Sequence, residues 1–249
     1  MKFSANLGWL WRGLPAPEAI RAAAAAGFDA VEAQIIQDED RDEVLRALAE
    51  TGLPLIGLNT RLGGQPGDRG LQALPGREAE ARELAAEAID WAAALGARHV
   101  HLVAGIAAGP EAEAAFRANL RHACDLAAKA GVSVVIEPLN SRDTPGVFLS
   151  TLEQAERIIA DLACPELKLM FDIYHAQVMG GDLLRRYQRL RPIIGHVQFA
   201  NCPDRSRPQI GEIALDRLLP ALNWDGFLGA EYDTGGPTED TLGWMEWFT

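Results

Sequence analysis

The sequence predicts a closed parallel barrel, a single (β/α)8 TIM barrel of the α/β class. Three observations carry that expectation. Eight short, mostly apolar runs recur along the 249 residues, Ala-rich amphipathic segments of helical length lie between them, and glycine stands at several junctions where a helix would hand over to a strand. Strict alternation of strand and helix implies parallel pairing with right-handed crossovers. About 250 residues is the usual size of an eight-unit barrel, whereas an open doubly wound sheet would use fewer strands or add a second domain. No Ser/Gly-rich linker or charge block divides the chain, so residues 1–249 read as one domain.

Taken in order, residues 2–7 open the barrel as a strand and 17–26 follow as a helix ending at Gly27. A second strand over 30–36 leads into Asp38-Glu39-Asp40-Arg41-Asp42, whose acidic side chains suit the positive N-terminal end of a helix over 41–51. Gly52 closes that helix before a strand over 54–59. The next units pair a helix over 77–95 with a strand over 99–104, then a helix over 111–130 with a strand over 133–137, with Gly96 and Gly131 at the joints. Helices over 152–162, 183–190 and 215–222 alternate with strands over 168–173, 194–200 and 228–232, the last entered through Asp225-Gly226-Phe227. Gly27, Gly52, Gly96, Gly131 and Gly226 are each expected in the left-handed conformation that ends a helix. The strand runs are continuously apolar, as in strands covered on both faces. The longest irregular stretches, 61–76 and 140–150, follow strands, on the side where barrels place their active loops. Trp244, Met245, Trp247 and Phe248 fall at helical spacing and suit either core packing or a contact in a homo-oligomer.

Composition narrows the function. The chain carries 23 basic and 35 acidic side chains, a net charge of −12, and so lacks the basic surface that nucleic acid requires. Cys124, Cys164 and Cys202 are odd in number and far apart, which offers neither a disulfide framework nor a Cys-x-x-Cys zinc site and fits a reducing compartment. No apolar run approaches the roughly 18 residues of a membrane span. A cytoplasmic protein acting on a small molecule is the expectation.

The chemistry concentrates in Glu137, Asp172, Gln198 and Glu231, each at or near the C-terminal end of one of the last four strands. One acidic residue at a strand end is ordinarily a helix cap or a solvated charge. Four oxygen-bearing side chains spaced by about one βα unit, each ending an apolar strand, converge on one mouth in a closed barrel. Three carboxylates and an amide oxygen suit a hard divalent cation, Mg2+ or Mn2+, better than zinc.

These residues also lie in motifs that resemble the hydroxypyruvate isomerase family of the xylose isomerase-like barrels. The motifs are Glu137-Pro138-Leu139-Asn140-Ser141-Arg142-Asp143, Phe171-Asp172-Ile173-Tyr174-His175-Ala176-Gln177, His196-Val197-Gln198 and Glu231-Tyr232, with Ala26-Gly27-Phe28-Asp29-Ala30-Val31-Glu32 and Ala73-Leu74-Pro75-Gly76-Arg77-Glu78 extending the likeness. The resemblance covers nearly the whole chain. It implies a divalent metal on Glu137, Asp172, Gln198 and Glu231, with Glu137 and Glu231 doubling as acid and base in isomerisation of a small hydroxy-oxo acid. Members of the family often carry Lys after the Glu-Tyr pair, where this chain has Asp233. That departure reverses a charge beside the site and leaves the substrate less defined than the reaction. A 2-oxo-tetronate isomerase, a ketose 3-epimerase, or a barrel that binds a metal or sugar acid without catalysis are the alternatives.

Around these four, His175 is placed to reach a substrate oxygen and Arg205 to grip a substrate carboxylate, with core packing and surface exposure as the competing roles. His101 and Glu32 lie within apolar strands, either lining the pocket or buried with partners. Asn6 and Asn59 are candidates for the rim or for tight turns.

Overall fold

The computed structural model describes residues 1–248 and shows one eight-stranded parallel sheet curled into a (β/α)8 barrel. The strands are β1 Lys2–Asn6, β2 Ala30–Glu32, β3 Gly57–Asn59, β4 His99–His101, β5 Ser133–Ile136, β6 Leu167–Asp172, β7 Ile194–Phe199 and β8 Phe227–Ala230. They pair in the order β2-β1-β8-β7-β6-β5-β4-β3. The last seam, between β2 and β3, is closed by a parallel bridge of Val31 with Leu55, where Ile56 N donates to Val31 O at 2.7 Å.

The helices are α1 Ala16–Ala25, α2 Arg41–Thr51, α3 Glu78–Leu95, α4 Pro110–Ala130, α5 Leu152–Leu162, α6 Ile173–Met179, α7 Leu183–Leu190 and α8 Leu215–Leu222. Their apolar stripes pack against the outside of the sheet and account for most of the core. Asp40 caps α2, accepting from the backbone of Asp42 and Glu43, as its acidic connection implied. Gly27, Gly52, Gly96 and Gly131 all take positive φ at the helix ends. Gly226 does not. Instead α8 ends two residues after Pro220, which cannot donate to the helix, and Asn223 takes the left-handed position with φ 46°. No helix among the described residues is long and apolar enough to cross a membrane.

Two elements differ from the sequence reading. α6 occupies the stretch after β6 where the sequence reading places no helix, because Asp172 at the strand end caps it, Oδ1 accepting from Tyr174 N at 2.7 Å. The C-terminal aromatics lie in a run of 3-10 turns, Thr238–Phe248, and not in an α-helix. Trp244 is wholly buried there, edge-on to Phe3, Phe28 and Phe199, while Trp247 stays exposed. The cluster therefore works mainly as core, sealing the barrel beside β1, β7 and β8.

Candidate active site

Glu137 follows β5, Asp172 ends β6, Gln198 sits in β7 and Glu231 follows β8, and all four are buried. Asp172 and Gln198 are direct register partners across β6 and β7. A single nitrogen, Arg205 Nη2, lies 2.9 Å from Glu231 Oε2 and 3.4 Å from Asp172 Oδ2, while donor atoms of Glu137, Asp172 and His175 lie within 4.8 Å of one another. The four residues singled out in the sequence thus surround one end of the barrel.

Their unmet bonding capacity is as informative as their position. Glu137 Oε1 and Gln198 Oε1 are buried without a hydrogen-bond partner, an arrangement that costs free energy unless something else satisfies those oxygens, and Glu231 Oε2 has only the Arg205 guanidinium beside it. Burial raises Glu137 well above the usual carboxylate range, with Glu231 and Asp172 adding like-charge repulsion. Burial also pushes Glu231 up to about 7, against the pull of the Arg205 guanidinium. Two carboxyls that resist ionisation and an amide oxygen, with Asp172 beside them, are oxygen donors of the kind a hard divalent cation takes. The residues present therefore fit such an ion.

His175 stands beside them. Its Nδ1 accepts the Asn140 backbone N–H at 2.9 Å, so the neutral ring carries its proton on Nε2. Burial, with the Arg205 charge, pulls its pKa down to about 4, which keeps it neutral near pH 7. Nε2 lies 3.6 Å from Glu137 Oε1 and 3.7 Å from Asp172 Oδ2. A nitrogen bearing hydrogen is a donor and not a metal ligand, so the tautomer favours contact with an oxygen over coordination. Arg205 Nη1 stands 3.2 Å from the same nitrogen. Two donors that close together are suited to share an acceptor from a ligand.

Arg205 itself is 14% exposed, and its guanidinium stacks over Trp9 at 4.5 Å and Tyr174 at 5.2 Å. Its charge is spent on Glu231 and Asp172, so it is less free to grip a distant carboxylate than the sequence suggested. His101 Nδ1 lies 3.7 Å from Glu137 Oε2, and burial lowers its pKa to about 3. Glu32 is buried under Gln198, accepting its Nε2 at 2.8 Å. Asn6 makes a local turn, its Oδ1 accepting from Gly8 N. Asn59, half-buried at the end of β3, makes no side-chain hydrogen bond within the described residues.

Several residues of the site escaped sequence reasoning. Gln34 donates Nε2 to Glu231 Oε1 at 3.1 Å, and Gly8 leaves the space its side chain fills. Its spacing of two from Glu32 was the available signal, since alternate residues share a face. Asn140 and Tyr174 lay inside the quoted motifs without a role. Trp9 and Arg69 lie on loops, where spacing carries no information. Above the carboxylates opens a cleft of about 820 Å³ whose walls include Trp9, Arg69, Ile106, Arg142, Arg205 and Asp233.

Comparison with known proteins decides the family. A model described as xylose isomerase-like TIM barrel matches residues 20–247. The chain belongs to that family. Within the xylose isomerase-like barrels it is 36% identical to the hydroxypyruvate isomerase of Escherichia coli, covering 99% of this chain and 98% of that one. It is also 36% identical to the 2-oxo-tetronate isomerase of Cupriavidus necator, over 98% and 97% of the two chains. With relatives of that name matched over almost their whole length, this barrel is an isomerase. A crystal structure from Brucella melitensis described as an AP endonuclease, family 2, superimposes with a TM-score of 0.93 at 35% identity, covering 99% and 98% of the two chains.

Proposed function

We propose that this barrel isomerises a small hydroxy-oxo acid by proton transfer, with hydroxypyruvate and tartronate semialdehyde as the pair to test first, and that it uses Mg2+ or Mn2+. The observation that carries the reading is the pair of partnerless buried oxygens on Glu137 and Gln198 beside the buried carboxyls of Asp172 and Glu231. These four side chains would hold the ion. When bound, it supplies Lewis-acid stabilisation of the negative oxygens that develop as a carbonyl and its neighbouring hydroxyl exchange places.

The chain's own groups supply the rest. Moving a carbonyl by one carbon requires a proton to leave one carbon and return to the next, so a base and an acid must reach the substrate. Glu137 and Glu231 come from β5 and β8 and are able to flank it, one accepting the proton and the other donating. Their strong mutual influence makes the two titrate as a set. His175 Nε2–H and Arg205 Nη1 would share a substrate oxygen and hold it while charge grows there. For the substrate carboxylate the freest cation is Arg69, exposed in the cleft wall with no ion pair or hydrogen bond within the described residues.

A four-carbon 2-oxo acid is the second reading, favoured by the equal identity to the C. necator enzyme. The endonuclease description of the Brucella structure is a poorer guide to this chain, because a net charge of −12 opposes a DNA backbone. The deciding experiment incubates metal-loaded protein with hydroxypyruvate, four-carbon oxo acids and free ketoses in deuterated water, followed by NMR. Deuterium in tartronate semialdehyde supports the proposal. Turnover of a four-carbon acid or a ketose alone moves the substrate, and no turnover of any of them overturns the proposed substrate class.

A further inference from the structure

A glutamine ends in an oxygen and an NH2 of nearly equal size, so shape alone does not decide which end faces a site. In Gln198 something else decides it. Nε2 donates to Glu32 Oε2 at 2.8 Å, and Oε1 is left buried and unpartnered. A carboxylate only accepts, so Glu32 selects the amide's NH2 and rejects its oxygen.

Glu32 is in turn held from two other directions. Ser4 Oγ donates to its Oε1 at 3.0 Å, and His196 Nε2 lies 2.9 Å from its Oε2. The backbone makes room for this arrangement at Gly229 on β8. A Cβ there would stand 2.1 Å from Glu32 Oε1 and 2.9 Å from Gln198 Cγ, closer than any real side chain could sit. Both the carboxylate and the glutamine stem therefore occupy the space that a missing side chain leaves in the barrel wall. A fully engaged carboxylate in such a slot has little freedom to turn.

We propose that Glu32 is a positioning residue: by taking the amide hydrogens of Gln198 it leaves the Gln198 oxygen as the end offered to a cation. The inference rests on the reading of Gln198 as a metal donor. Outer partners of metal-binding side chains commonly set ligand orientation, and their loss weakens metal binding by roughly 10–100-fold.

The test is Mn2+ titration of the full-length protein, followed by the electron paramagnetic resonance of free Mn2+, with circular dichroism to show that each variant folds. Glu32→Gln is expected to weaken binding by roughly 10–100-fold. Glu32→Asp keeps the charge but shortens the reach, and is expected to weaken binding as well. The double variant Glu32→Gln with Gln198→Ala is expected to bind no worse than Gln198→Ala alone, because no amide remains to be oriented. Wild-type affinity in both Glu32 variants, or in Gln198→Ala, overturns the inference, and so do additive losses in the double variant. If Glu32→Gln does not fold, Ser4→Ala removes one of the three partners, and unchanged Mn2+ affinity there overturns it equally. Failure of the wild-type protein to bind Mn2+ overturns the reading of the cation site along with the inference, which separates the two failures.

Discussion

The two halves of the barrel treat their buried polar groups differently. In the half built by β1 to β4 the polar side chains facing the site are engaged, Glu32 by three donors, Asn6 in a turn and Gln34 with Glu231, and the buried atoms without a partner, Trp9 Nε1 and Gln72 Oε1, lie on its loops. In the half built by β5 to β8, Glu137 and Gln198 each keep a buried oxygen with no partner, and Glu231 meets only the Arg205 guanidinium with one of its own. A fold minimising its own free energy would not leave two such atoms at the same barrel mouth. The first half provides support, and the second holds bonding capacity in reserve for a ligand.

The sharpest way to break that contrast is to neutralise the second half. Glu137→Gln or Glu231→Gln is expected to lower kcat for isomerisation by at least about 10³-fold with the barrel intact, as loss of an acid or base does. A variant that turned over at the wild-type rate would remove that glutamate from proton transfer. On the supporting side, Trp244→Ala opens a cavity under Phe3, Phe28 and Phe199 and is expected to cost about 3–5 kcal/mol in denaturant unfolding. A loss below about 1 kcal/mol would show the aromatic seal to be dispensable.

A subtler effect lies in pH. Burial pushes the Glu231 carboxyl up to about 7 in the folded protein, above its ordinary value of 4.5, so the native state holds a proton that the unfolded chain releases. Its contribution is full below the unfolded value and fades as pH rises through the folded one. Relative to Glu231→Gln, which cannot ionise, the metal-free wild type should lose up to about 3 kcal/mol of stability between about pH 4.5 and pH 8. A difference that stays flat across that window would mean the site does not raise this carboxyl. The smallest effect is expected at the rim, where Arg69→Ala should raise KM for a substrate bearing a carboxylate by about 10-fold and leave kcat nearly unchanged, the loss of one exposed charge-assisted contact. Equal effects on a neutral ketose would exclude a carboxylate clamp.

Much of this was legible in the sequence because barrel geometry turns spacing along the chain into convergence in space. Glu137, Asp172, Gln198 and Glu231 recur once per βα unit, and closure of the sheet brings them to one mouth. The helix ends were readable where glycine marks them, and failed at Gly226 because Pro220 ends α8 early and Asn223 takes the left-handed turn. What spacing could not show was pairing between distant strands. Whether Glu32 faced the mouth or a partner depended on Ser4, His196 and Gln198, which reach it from β1 and β7. Arg205 read as a free guanidinium, since nothing local reveals that Trp9 and Tyr174 would clamp it against the carboxylates. α6 was missed because its cap, Asp172, belongs equally to the strand before it.

That shared carboxylate joins the chemistry to the scaffold. Asp172 holds the first turn of α6 by the amide of Tyr174 while its other oxygen faces Arg205. Any new demand on Asp172 is felt by the opening turn of that helix. Hydrogen exchange at the Tyr174 amide therefore becomes a gauge of the site's occupancy, readable in solution without a substrate.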